Sequence, residues 1–124
     1  MTRIPEDIRD MIEQSIYLPM TIAVFNRDLS VIEQSPFKLK QPYLRLVEES
    51  LKLAQKDLTQ VKKELNQRKI KVNQVKRDDA FTLYSFIYHG YEEQHNYFNP
   101  RIRNKVSELI ETYLFQNRDK KLKS

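Results

Sequence analysis

Glu92 and His95 stand three residues apart. On a helix that spacing places a carboxylate and an imidazole on one face, as in carboxylate-bridged di-iron bundles. Such centres need a second Glu-x-x-His and further inward carboxylates, yet the other histidine, His89, has Phe86 three residues before it. A homodimer would supply a duplicate, but one copy favours an ordinary polar or core-edge histidine, and no metal site is expected. Gly90 is the only glycine, which excludes a Gly-rich phosphate loop. No nucleophile, base and orienting acid fall together at local spacing. The residues point away from an enzyme and away from a bound cofactor.

Arg101, Arg103 and Lys105 follow Asn99-Pro100, the cap and first-turn residues of a helix. Cations are disfavoured at that end of the dipole, and free backbone N–H groups there invite an anion. Two readings stand. Glu92, Glu93, Asp78 and Asp79 can compensate the cluster within or between subunits, or the cluster contacts a phosphate or an acidic partner surface. A second basic set, Arg45, Lys52, Lys56 and Lys63, can lie along a nucleic-acid backbone. The pairs Glu48 to Lys52 and Glu64 to Arg68, at i,i+4 spacing, explain that set equally as a solvated helix face. Tyrosines and phenylalanines nearby can stack on bases, although their 3-4 spacing is explained more simply by packing.

The elements that must hold these groups read as helices. Leu44, Val47, Leu51, Ala54, Leu58, Val61 and Leu65 form an unbroken 3-4 seam on a helix from about Pro42 to Lys69. Asp57 with Lys62, and Glu64 with Lys69, flank the seam at the spacing that meets across a parallel coiled coil. Leu46 and Leu53 widen it, which fits a bundle better than a slender coil. Pro5, Glu6 and Asp7 open an earlier helix, and Pro19 is expected to end or bend it. Residues 20–34 admit helix or hairpin, with spacing in favour of helix. Pro36 and Pro42 bracket an extended link.

Asn66 to Arg77 reads as a loop containing a brief extended piece at Ile70 and Val72. Asp78 or Asp79 can cap a central aromatic helix through Phe81, Tyr84, Tyr88, Tyr91, His95 and Phe98. Ile102, Val106, Leu109, Ile110, Tyr113 and Leu114 give a last helix one buried stripe.

The expected architecture is therefore all-α, a compact bundle of four to five helices in one domain over residues 1–116. The polar tail 117–124 is expected to fray. Self-association through the seam, as a helical homodimer, is the assembly that this pattern suggests.

The 124 residues include no Cys, which excludes disulfides and thiolate metal sites and fits a reducing cytoplasm. The stretch from Ile16 to Phe25 is too short to span a bilayer, which takes about 20 apolar residues. The acidic N-terminal stretch does not resemble a secretory signal. The net charge of +5 is unevenly spread: residues 36–77 hold twelve basic and four acidic side chains, whereas residues 78–100 hold none and four. Alternating blocks of this kind can satisfy one another, which weakens a general polyanion-binding role.

The segments Ile16-Tyr17-Leu18-Pro19, Ser35-Pro36-Phe37-Lys38-Leu39-Lys40-Gln41-Pro42-Tyr43, Lys76-Arg77-Asp78-Asp79-Ala80-Phe81, Gly90-Tyr91-Glu92-Glu93 and Asn99-Pro100-Arg101-Ile102-Arg103-Asn104 resemble the YhjD-type family of small proteins from Bacillus-like bacteria. The resemblance spans most of the chain except its tail. It implies a bacterial cytoplasmic protein and brings no activity or site residue with it. A noncatalytic protein-interaction or regulatory module is the leading expectation, with nucleic-acid binding as the alternative and a metal-binding bundle behind both.

Overall fold

Pro5 precedes the first helix with Glu6 and Asp7 in the opening turn, where carboxylates complement the positive end of the dipole. In the computed structural model, which describes the backbone of residues 4–123 and side chains as far as residue 116, α1 runs Glu6–Glu33. It continues through Pro19, so the expected helix end does not occur there, and residues 20–33 are helical rather than a hairpin. The link 34–40 then leads into α2, Gln41–Gln67, which starts with proline in its first turn.

The chain's next move departs from an all-α bundle. Arg68 closes α2, and Lys69 takes a left-handed φ of 58°. Lys69 N–H donates to the Asn66 carbonyl (3.1 Å) and Ile70 N–H to the Leu65 carbonyl (2.9 Å). This is a Schellman stop, completed by burial of Leu65 and Ile70, the apolar pair that such a motif brings together. Ile70 thus leaves α2 at a fixed angle and feeds β1, Lys71–Arg77.

β2, Phe81–Tyr88, and β3, Tyr91–Phe98, complete an antiparallel sheet of order β1-β2-β3. α3, Asn99–Lys123, follows directly. The fold is α+β, with three helices and a three-stranded meander. The expected aromatic helix is a hairpin, and the expected loop before it is mostly strand. His89 (φ 51°) and Gly90 (φ 79°) are both left-handed, the two-residue turn whose twist matches paired strands. Asp78 still caps, but it caps a turn: its Oδ1 accepts N–H bonds from Ala80 (2.8 Å) and Phe81 (2.7 Å). Those backbone donors hold its carboxyl below the ordinary aspartate value.

The core lies among the three helices and one side of the sheet, with Ile102, Val106 and Tyr113 contributed by α3. α1 and α2 form an αα-hairpin whose contact contains fully buried Thr21, Ser50 and Ala54. The hydroxyls of Thr21 and Ser50 donate to the carbonyls of Tyr17 and Leu46, so burial strands neither. Six seam residues are buried, and Leu58 packs half-buried against the same core. The seam is thus spent inside one chain, and its flanking acids are engaged there as well. Asp57 accepts from the Tyr113 hydroxyl at 2.6 Å, and Glu64 from Gln60 at 3.2 Å. The coiled-coil reading is corrected accordingly. From the sheet, Val72, Tyr84, Phe86, Tyr88 and Tyr97 join the core. The expected fraying of 117–124 concerns side chains outside the described residues.

Candidate functional site

The three cations expected at the start of α3 do not form one cluster. Positions 101 and 105 share a helix face, whereas position 103 lies on the far side of buried Ile102. Arg101 lies close enough to Tyr17 to pull that phenol downward, against burial and the Glu13 carboxylate, which together raise it. Lys105 borders a cleft of about 350 Å³ between α1 and α3, with Asp10, Glu13, Gln14 and Tyr17 opposite. Its ammonium lies 3.5 Å from Glu108. Arg103 is exposed and has no ion pair among the described residues.

Three of the four acids expected to compensate these cations are engaged elsewhere. Glu92 accepts the Ser85 hydroxyl at 2.6 Å, Glu93 meets His95 at 2.9 Å, and Asp78 holds the β1–β2 turn. Asn99 ties that turn to α3. Its N–H donates to the Ala80 carbonyl (2.8 Å), its Nδ2 to the Asp78 carbonyl (2.9 Å), and its Oδ1 accepts from Thr82 (2.7 Å). Lys105 thus pairs with Glu108 of its own helix and faces the α1 carboxylates Asp10 and Glu13 only across the cleft, a juxtaposition of distant segments that local spacing does not reveal.

Glu92 and His95 fall on opposite faces of β3, because an odd separation on a strand reverses direction. Their helical metal-ligand geometry disappears with the helix. His95 instead stacks on Phe86, with ring centroids 5.0 Å apart. Among the described residues no three His, Cys, Asp or Glu side chains are grouped to hold a metal ion. Arg45, Lys52, Lys56 and Lys63 do share an exposed stripe of α2.

A second cleft, of about 430 Å³, opens where α1, the end of α2 and the inner side of the sheet meet. Ile16, Met20, Leu65, Ile70 and Val72 give it an apolar lining, and Ser15, Lys62, Asn66, Gln74 and Tyr84 add polar groups. Each polar group has a structural reason to be there. Lys62 and Asn66 are one turn apart on α2, while Gln74 and Tyr84 are direct cross-strand partners on the core-facing side of the sheet. Pro19 also lines the cleft, and its missing N–H removes the helical bond that the Ser15 carbonyl would otherwise accept.

Tyr84 is only 6% exposed, and burial pushes its phenol above the ordinary tyrosine value against the pull of Arg77. Its hydroxyl has no hydrogen-bond partner among the described residues, nor do the side-chain amides of Asn66 and Gln74. The site can therefore offer donors from Tyr84, Asn66 and Gln74, together with the positive charge of Lys62, above an apolar floor. Sequence reading missed these residues because they come from four elements; the one local signal was a proline inside an otherwise unbroken helical pattern.

No helix among the described residues is long and apolar enough to cross a membrane. The chain matches the family model described as YhjD protein over residues 3–118. It is 58% identical over 115 residues to the Bacillus subtilis (strain 168) protein named Uncharacterized protein YhjD, covering 93% of this chain and 96% of that relative. No solved structure matches. With nearly the whole chain aligned at that identity, the protein belongs to the YhjD family.

Proposed function

We propose that the protein is a noncatalytic regulatory module of the bacterial cytoplasm that binds a small carboxylate in the cleft between Pro19, the end of α2 and the sheet. One observation carries the reading: the partnerless Tyr84 hydroxyl borders an apolar cleft together with Lys62, Asn66 and Gln74. A few polar groups over an apolar lining are the usual make-up of a small-molecule site. The cation selects an anion, and the floor of Ile16, Met20 and Ile70 selects an apolar body. The cytoplasmic setting rests on the lack of cysteine among 124 residues.

Phenylacetate and phenylacetamide test the proposal, since they share a ring and differ in charge. Calorimetric titration should give tighter binding of the acid, with Lys62→Met removing the preference and weakening the acid about fivefold or more. Equal affinity for the two compounds, or binding of neither, contradicts it.

A second reading has its own support in the exposed stripe of Arg45, Lys52, Lys56 and Lys63, which can follow a phosphate backbone. Glu48 shares that exposed surface and opposes the reading. Labelled RNA and DNA titrated at two salt concentrations separate the two, because phosphate contacts weaken steeply with salt.

A further inference from the structure

The outer side of the sheet is organised in cross-strand rows. Pairing places Lys71, Ile87 and Glu92 side by side, then Asn73, Ser85 and Gln94, then Lys76, Leu83 and Asn96, with Phe81 beside Phe98 at one end. None of these side chains belongs to the core drawn from the described residues, which takes the alternate positions of the same strands. Phe81 and Phe98 are 43% and 49% exposed, with ring centroids 5.4 Å apart. Half-buried Leu83 and Ile87 therefore flank buried Ser85 on the middle strand, a positive edge lies on β1, and a carboxylate lies on β3.

We propose that this face docks a second copy of the chain about a two-fold axis running along β2. A half-turn about that axis exchanges left and right while keeping each row at its own height. Ile87 then meets Ile87 and Leu83 meets Leu83, while Lys71 of one copy faces Glu92 of the other, twice per dimer. The other in-plane axis that keeps the strands aligned, one running across them, opposes β1 to β1 and sets lysine against lysine. Neither Lys71 nor Glu92 has an ion-pair partner within its own chain among the described residues; Glu92 accepts the Ser85 hydroxyl through one oxygen, which leaves its charge uncompensated for a lysine of the second copy. Aligned sheets cross at about 30°, which keeps the middle rows opposed and shifts the end row of Lys71, Ile87 and Glu92 sideways, a shift that the long lysine side chain can span. Self-complementarity of this kind is what an isologous interface requires.

The size of the face sets the strength. Three strands about 4.8 Å apart and roughly 26 Å long present on the order of 400 Å² of flat area per copy. That falls toward the small end of specific interfaces, so dissociation is expected near ~100 µM rather than in the nanomolar range. The inference goes beyond the ligand reading and does not depend on it, since the cleft opens on the other side of the sheet.

Sedimentation equilibrium on the full chain, up to about 1 mM, tests it. The unsubstituted protein should show reversible dimerisation. Lys71→Glu and Glu92→Lys should each weaken association about tenfold, and the double swap K71E/E92K should restore it. Ile87→Lys should give a monomer whose far-UV circular dichroism is unchanged. A protein monomeric throughout, a dimer insensitive to Ile87→Lys, or a double swap no better than either single variant would overturn the proposal.

Discussion

The Tyr97 hydroxyl donates a 2.7 Å hydrogen bond to Glu13, joining the last strand to the first helix across 84 positions of sequence. Tyr113 makes the corresponding tie between α3 and α2, donating to Asp57 at 2.6 Å. These two phenols fasten the sheet and α3 to the helical hairpin at points where apolar packing alone leaves orientation loosely set. Replacing either by Phe removes a hydrogen bond to a charged acceptor while keeping the ring. Tyr97→Phe and Tyr113→Phe should each cost about 1 kcal/mol in denaturant unfolding.

The same phenols predict an alkaline limit. Burial first, and then the bonded carboxylate, push both above the ordinary tyrosine value of 10.0. A raised folded value means that the stabilisation is whole below pH 10 and lost as pH rises beyond it. Thermal unfolding followed from pH 8 to 11 should show a steep fall above about pH 10. The double variant Y97F/Y113F should fall less steeply over that interval.

Lys69 holds the left-handed position between α2 and β1, where a Cβ is costly. Lys69→Gly should stabilise the protein by about 0.5–1 kcal/mol, despite glycine's greater freedom in the unfolded chain. Chemical denaturation gives the sign directly, and a loss of stability would show that the turn tolerates the side chain without strain.

Ala54 is wholly buried in the seam, where its small side chain fits the packed helical core. Ala54→Leu should destabilise by about 1–3 kcal/mol through overpacking. An exposed coiled-coil seam would instead accept the larger residue readily.

Much of this architecture is legible in the amino-acid order. The seam from Leu44 to Leu65 identifies α2 because a polar opposite face makes its period visible, and Asn99-Pro100 marks the start of α3. The segment 81–98 is misread for a physical reason. β2 is a central strand with Tyr84 and Phe86 on one side and Leu83 and Ile87 on the other, so apolar residues run almost without interruption and the period of two is hidden. Asp78 adds to the ambiguity, because a carboxylate accepting N–H bonds two and three residues ahead opens a helix or closes a turn equally well. His89-Gly90, both left-handed, was the available sign of a hairpin. The cleft at Tyr84 was not legible, since it exists only once Ser15, Lys62 and Gln74 are brought together across the fold.

The most direct test of the ligand reading is amide chemical-shift mapping of isotope-labelled protein titrated with phenylacetate. The expected shifts cluster at Asn66, Ile70, Gln74 and Tyr84 and largely vanish in Tyr84→Phe. Shifts confined to the α2 stripe of Lys52, Lys56 and Lys63, or shifts unchanged by Tyr84→Phe, would contradict it.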